Sequence, residues 1–392
     1  MVKTDTFLQD SLEDLGEKGC LRKLRCLSGS QGREIIIDDQ KVLNFCSNNY
    51  LGLADDVRLK EAAIVSLEAE GLGSGASRLV CGNLSAHKNL EERIARFKGT
   101  DAALVFSTGY MANVGIISSL FGRNDVIFSD KLNHASIIDG ILLSQAKFKR
   151  YPHVDMKALE GMLQETREKI RKVIITDSVF SMDGDIAPLD KIVALAKKYN
   201  CQVMIDEAHA LGVLGRIGRG AAEHFGVEEE IDIKMGTLSK AVGSFGAYCC
   251  GSRELIDYLI NKARSFIYTT GMPPSVAAAS LKGIEIIESE PERREKLWDN
   301  ARYLLRKLKE TGFETLRSQT PIIPVLVKES ENAVRFSERL FEAGIFISAI
   351  RPPTVPAQTA RLRLTVMATH TREDVHYLLQ HMERIGKELC II

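Results

Sequence analysis

The chain has 392 residues, 45% hydrophobic and 27% charged, with 52 Lys+Arg against 52 Asp+Glu and so no formal net charge. This is the composition of an ordinary globular protein, with length for two or three domains and a sizeable buried core. The balance excludes a dedicated nucleic-acid binder, which carries a basic excess, and an acidic disordered chain.

The N-terminal stretch MVKTDTFLQDSLEDLGEKG lacks the basic start and apolar run of a signal peptide. Phe7, Leu8, Leu12 and Leu15 recur at helical spacing, so a helix is expected over 5–19. Short strands follow at 33–38 and 41–45, joined by a turn at Asp38-Asp39. From residue 55 helix and strand alternate. Helices are predicted at 57–70, 86–98, 110–121, 134–145, 155–170 and 189–199. Between or after them lie apolar runs at 103–106, 125–128, 172–176, 202–206 and 231–236, with a further strand at 246–251. Strands without polar alternation, separated by helices, indicate a mostly parallel sheet covered on both faces.

After a helix at 274–289, Pro291 and a highly charged helix at 292–311 change the character of the chain. Strands at 313–317, 322–327, 345–349 and 361–366 then interleave with helices at 331–343 and 371–388. The expected division is an N-terminal helix with short strands (1–54), a large domain (55–286) and a small C-terminal α/β domain (287–392). Glu228-Glu229-Glu230 reads as a solvated loop. No run approaches the ~18 apolar residues of a membrane span. The cysteines at 20, 26, 46, 81, 201, 249, 250 and 390 form no C-x-x-C pair and no zinc-ligand pattern. Reduced thiols, no metal site and a cytoplasmic setting are expected.

In an open parallel sheet, ligands bind beyond the carboxyl ends of the strands. After ALVF comes Ser107-Thr108-Gly109-Tyr110, opening a helix whose free N–H groups and positive dipole end suit a phosphate, although a Gly there also serves the turn sterically. The chain has neither G-x-G-x-x-G nor a P-loop, which argues against dinucleotide and P-loop readings. After VMID come Asp206 and, three residues on, His209. After IDIKMG come Thr237 and Lys240, followed by the small-residue stretch Ala241–Gly246. Most lysines are solvated, but one held in such a cleft has a lowered pKa and forms Schiff bases. A phosphate-ready helix start, an Asp and a Lys at the strand ends of one sheet match the needs of pyridoxal 5'-phosphate (PLP).

The Asp206…His209…Thr237…Lys240 series resembles that of fold-type-I PLP enzymes, specifically the α-oxoamine synthases. The likeness extends along the chain: SNNYLGL (47–53), GSGASRLVCGN (73–83), DSVFSMDGDIAPL (177–189), DEAHALGVLGRIGRG (206–220), GTLSKAVGSFG (236–246) and FIYTTGMPPS (266–275). IRPPTVPAQTARLRLT (350–365) resembles the biotin-pathway branch, whereas glycine-using members tend to carry Tyr-Pro in that region.

The resemblance implies a large domain with a mostly parallel seven-stranded sheet between helices, and a smaller C-terminal α/β domain. It implies decarboxylative condensation of L-alanine with a pimeloyl thioester, on coenzyme A or on acyl carrier protein, with no nucleic-acid or membrane partner. Lys240 would carry the cofactor and move the Cα proton, Asp206 would pair with the pyridinium nitrogen, and His209 would lie near the ring's phenolic oxygen. His134 would stack on the ring and meet the substrate. Gly109, Tyr110 and Thr237 would hold the phosphate, and Ser181 would contact the cofactor. Thr269 and Thr270 would reach the phosphate from a neighbouring subunit, making a homodimer with shared sites.

On the substrate side the resemblance points to Arg351, with Asn48 beside it, for the amino-acid carboxylate, which a guanidinium grips bidentately. Thr354 matches a substrate-binding position, and Arg22, close to Arg25, aligns with an arginine that meets the acyl donor. Gln358 stands where the family usually has Gly, and Asp177 where Glu is also common. A non-catalytic subunit of the same fold would be expected to lack the lysine.

Overall fold

The computed structural model describes residues 4–17, 21–22 and 24–392. Every residue of the strands Ala102–Phe106, Val126–Asp130, Lys172–Asp177, Ile233–Thr237 and Ala247–Gly251 is buried. Such strands have no face to offer water, and helices cover both sides of the sheet they form. Side chains alternate between the two covered faces, as strand geometry requires. Along Lys172–Asp177, Val173 and Ile175 enter one core and Ile174 the other.

Seven strands run across the sheet in the order Ala102–Phe106, Ala247–Gly251, Ile233–Thr237, Gln202–Asp206, Lys172–Asp177, Val126–Asp130, Lys147–Tyr151. All pairs are parallel except those of Ala247–Gly251, which is antiparallel to both neighbours. The carboxyl ends of Ala102–Phe106, Val126–Asp130, Lys172–Asp177, Gln202–Asp206 and Ile233–Thr237 therefore share one edge. That edge is where a sheet of this kind takes its ligand.

An N-terminal segment and a C-terminal one pair with each other. Leu27–Ser28, Glu34–Ile37 and Gln40–Asn44 form a sheet with Ile345–Phe346, which runs parallel to Gln40–Asn44. A second sheet of Ile322–Lys328, Ala360–Thr365 and Ser348–Ile350 is antiparallel. Thr365 N donates to Phe45 O at 2.8 Å, so the segment leading to Asn48 and Tyr50 lies against the end of strand Ala360–Thr365.

Several expected elements differ. The N-terminal helix spans Thr4–Glu17; positions 18–19 and Cys20 lie outside the described residues. The helix expected over 155–170 is Met156–Gln164; after it the run at 165–169 is polar, and only Ile170 returns to the core. The seventh strand, Lys147–Tyr151, is absent from the sequence reading: KFKRY is charged, as an edge strand tolerates. Residues 313–317 form no strand. Phe313 packs on Phe336 with ring centroids 6.2 Å apart, and Leu316 turns with φ of 50°, so side-chain burial and not a ladder fixes the segment. The strand expected at 345–349 is split into Ile345–Phe346 and Ser348–Ile350, which serve different sheets. Glu228–Glu230 makes one turn of 3-10 helix, and the helices Ala221–Phe225, Arg253–Lys262 and Arg264–Ile267 are additional. Among the described residues no helix is long and apolar enough to cross a membrane, and none of their His, Cys, Asp and Glu side chains cluster as a metal site.

Gln358 explains its own oddity. Its φ is 61°, in the left-handed region where Gly is at ease and a side chain is strained. Gln358 is exposed, so its side chain is lost cheaply. Gln358→Gly is expected to raise the free energy of unfolding by up to about 1 kcal/mol in urea titrations; a loss of more than that would mean the side chain makes a stabilising contact.

Candidate active site

Lys240 follows the strand Ile233–Thr237 by three residues, in the turn that leads back through Ala247–Gly251. Gly243, at φ 74°, lets this turn press against Leu53 and Ala54; a Cβ there would stand 2.5 Å from their backbone atoms. The lysine is half-buried, and loss of water pulls its ammonium down to about 8. Asp206 and Asp177 oppose the shift, and Arg363 adds to it. The group is thus an amine with a substantial neutral fraction near physiological pH, as a nucleophile or proton acceptor requires.

Asp206 is 4% exposed and ends its strand in register with Asp177. Its two carboxylate oxygens accept from Asn113 Nδ2 and Ala208 N, each at 2.8 Å. Asn113 lies on the helix Gly109–Leu120 and also donates to Ser136 Oγ at 2.9 Å, so one amide aims Asp206. Burial and the charge of Asp206 push the Asp177 carboxyl well up. Asp177 in turn accepts from His134 N at 2.7 Å, at the cap of helix Ala135–Ser144. The exposed His134 imidazole is pulled down by partial desolvation, with Asp206 opposing and Lys240 reinforcing.

His209 Nδ1 stands 2.7 Å from the Tyr50 hydroxyl. Burial drives this imidazole well below its ordinary range, and Lys240, Arg363 and His134 push the same way. Arg363, 7% exposed on strand Ala360–Thr365, donates to Asn48 Oδ1 at 3.1 Å and to Ser181 O at 2.6 Å. The structure therefore gathers Lys240, Asp206, His209, His134, Asn48 and Ser181 with four groups the sequence reading did not place in the site: Arg363, Tyr50, Asn113 and Asp177. The only sequence signal for Arg363 was a pair of arginines, Arg361 and Arg363, at alternate positions of an apolar strand, and nothing local separates Arg363 from Arg361, which pairs with Asp183 instead.

At the same edge, Thr108 caps the helix Gly109–Leu120 by accepting from Met111 N at 3.1 Å. The N–H groups of Gly109 and Tyr110 are in the first turn and have no intrahelical acceptor. Thr237 Oγ1 donates to Gly246 O at 2.8 Å and lies 2.7 Å from Ser239 Oγ. Thr269 and Thr270 line a small cavity with Phe106 and Ser107, just before that helix. Arg22 and Thr354, 332 residues apart in the chain, meet at 3.2 Å. Arg351 is half-buried on the turn after Ser348–Ile350, and its carbonyl accepts from Thr354 N at 3.0 Å.

The loops bearing His134 and Ser181 are tied together by His153, which bridges Asp130 at 2.9 Å and Asp185 at 2.8 Å. Burial pulls His153 down, but the two carboxylates outweigh it and lift the imidazole from 6.5 to about 10. A raised pKa in the folded state gives stabilisation that is complete below the unfolded value and is lost as pH rises through the folded one. In urea unfolding, His153→Gln is expected to be less stable than the parent at pH 6 to 7, with the gap closing as pH passes 10. A gap independent of pH would refute the charged bridge.

The family model "Aminotransferase class I and II" matches residues 40–382. An 8-amino-7-oxononanoate synthase from Geobacter sulfurreducens is 53% identical, covering 97% of this chain and 98% of its own length. Among solved structures, serine palmitoyltransferase from S. paucimobilis with a bound PLP–myriocin aldimine superposes with a TM-score of 0.94, at 33% identity over 98% of each chain. An 8-amino-7-oxononanoate synthase from Francisella tularensis has a TM-score of 0.78 at 33% identity, covering 89% of this chain and 98% of that one.

Proposed function

Because the chain belongs to the class I and II aminotransferase family, and within it to the 8-amino-7-oxononanoate synthases, we propose that it joins L-alanine to a pimeloyl thioester with loss of CO2. The product is 8-amino-7-oxononanoate, of the biotin pathway, and the cofactor is PLP. The observation that supports this reading most is the meeting of Lys240, at a pKa of about 8, with the buried, doubly held Asp206 carboxylate.

The donor set fits the cofactor. Asp206 is fixed by two donors and suits a ring cation, Lys240 suits an aldehyde, and the first turn of Gly109–Leu120 suits a phosphate. When bound, PLP supplies an electron-withdrawing ring that stabilises negative charge at the amino acid's Cα. Lys240 would hold the cofactor and, as a partly neutral amine, would take the Cα proton on Nζ. Asp206 would keep the ring nitrogen protonated, His209 would serve the phenolic oxygen, and His134 would serve the ring and the substrate. Gly109, Tyr110, Ser181 and Thr237 would hold the cofactor, and Thr269 and Thr270 would reach the phosphate from the second subunit of a dimer.

For the carboxylate, Arg363 joins Arg351 as a candidate, because its guanidinium already stands against Asn48 and bears on Lys240. Arg22 and Thr354, in contact with one another, form the acyl-donor side. A homodimer suits the apolar side chains left open near the cofactor region, with Leu79 52%, Val80 78%, Tyr110 49% and Tyr268 73% exposed. A reducing, cytoplasmic setting suits the free thiols of Cys26, Cys46, Cys81, Cys201, Cys249, Cys250 and Cys390.

Steady-state assays of alanine, glycine and serine against pimeloyl and acetyl thioesters test the reading; alanine with pimeloyl is expected to have the highest kcat/KM, and a preference for glycine or serine would overturn it. Asp206→Asn leaves a neutral amide opposite the ring nitrogen, and kcat is expected to fall by about 100-fold or more, the scale for removing one electrostatic contact to developing charge.

A further inference from the structure

We propose that Tyr50 is a positioning residue that fixes His209 as the Nε2–H tautomer, so that the imidazole presents a proton donor to the cofactor's ring oxygen. The inference rests on the cofactor role given to His209 above, but its geometry belongs to the protein alone.

Tyr50 is 1% exposed, and its hydroxyl lies 2.7 Å from His209 Nδ1. The two rings meet edge-on, 6.1 Å between centroids at 63°. A neutral imidazole carries one proton, and the partner of one ring nitrogen decides which nitrogen holds it. Tyr50 and His209 can therefore share their hydrogen bond in two ways. Either the phenol donates and Nε2 keeps the ring proton, or Nδ1–H donates and Nε2 is left as an acceptor.

Three observations decide between these. The phenol is a full donor, since burial raises Tyr50 to about 12, while burial keeps His209 neutral. The second acceptor open to the phenol, Asn48 Oδ1, is farther away at 3.3 Å and already receives Arg363 at 3.1 Å. Arg363 is also close enough for its charge to act on the Tyr50 hydroxyl, and a guanidinium can only donate, so it offers the phenol proton no competing acceptor. The Tyr50 proton is thus directed to Nδ1, and the ring proton of His209 resides on Nε2.

An Nε2–H donor suits a phenolic oxygen that carries negative charge, whereas a bare Nε2 would repel it. Tyr50 touches neither substrate nor cofactor in this scheme. It acts through the tautomer of His209, much as a histidine-bound partner sets which nitrogen is available at a metal.

The test is nitrogen NMR of the intact protein labelled at histidine, without and with PLP, with His209→Gln used to assign the signal. His209 is expected to show a protonated Nε2 and an unprotonated, hydrogen-bonded Nδ1 in both states. In Tyr50→Phe, which keeps the ring and loses only the hydroxyl, His209 is expected to become a mixture of tautomers. The visible band of the PLP-loaded variant is expected to shift, and its titration with pH to move, relative to the parent. An Nδ1–H tautomer in the unaltered protein overturns the proposal without any variant. So does a Tyr50→Phe protein whose His209 signals and visible band match the parent. Either result leaves the condensation of alanine untouched, since that is read from the product.

Discussion

Lys240→Ala is expected to abolish turnover, lowering kcat by at least about 10⁴-fold, the upper end for losing a positioned general base. The loss is expected to exceed that of any other single change because, on the proposed mechanism, the same amine, lowered to about 8, would both anchor the cofactor and move the Cα proton. Alanine at this position keeps the small-residue turn intact: Gly243 still seats against Leu53 and Ala54, and Asp206 keeps its bonds to Asn113 and Ala208. The variant is therefore expected to fold and to take up PLP only reversibly, without the visible band that borohydride removes. In the unaltered protein, borohydride is expected to leave the reduced cofactor on the peptide containing Lys240. Normal turnover by the variant, or trapping on another lysine, would sink the assignment.

The second large effect concerns the amino-acid carboxylate. Arg363→Ala is expected to lower kcat/KM for alanine about 100-fold, on the scale of about 1.5–3 kcal/mol for a hydrogen bond to a charged group. Arg363→Lys, which keeps the charge and loses the planar fork, is expected to recover only part of this. Arg351→Ala is expected to cost less, since Arg351 lies on the turn after Ser348–Ile350 whereas Arg363 is buried against Asn48 and Ser181. The reverse order, with Arg351→Ala the more damaging for alanine, would return the carboxylate to Arg351. Because Arg363 also braces Ser181 and Asn48, the reading to follow is the KM for alanine against that for the acyl donor. A general loosening of the site would raise both.

Much of the site was legible because of where the apolar runs stop. Asp206 ends one buried strand, His209 lies three residues beyond it and Lys240 three residues beyond another, and a parallel sheet brings those ends to one edge whatever the details of packing. Tyr50, Asn113 and Arg363 were not legible in this way. Tyr50 is 159 residues from His209, Asn113 is 93 from Asp206, and Arg363 is 315 from Asn48. Their partners are chosen by tertiary packing, which no local spacing encodes. The same holds for the Arg22–Thr354 contact, in which each residue carried a separate sequence signal but nothing in the spacing joined them.

The fold divides along similar lines. Strands buried on both faces announce themselves by unbroken apolar runs, whereas KFKRY at 147–151 hides because an edge strand is free to be charged. Residues 313–317 mislead in the opposite sense, since their buried side chains imitate a strand without making a ladder. The whole-chain charge of zero concealed a local concentration: Lys240, Arg363 and two histidines face Asp206 and Asp177 in one crevice.

The most direct measurement is mass spectrometry of the products formed from L-alanine labelled at its carboxyl carbon, supplied with pimeloyl-CoA and, in parallel, with pimeloyl-acyl carrier protein. With at least one donor, 8-amino-7-oxononanoate is expected to appear unlabelled, with all of the label released as CO2 and one free thiol formed per product. Product that keeps the label, or no product from alanine with either donor while another amino acid condenses, would contradict the assignment.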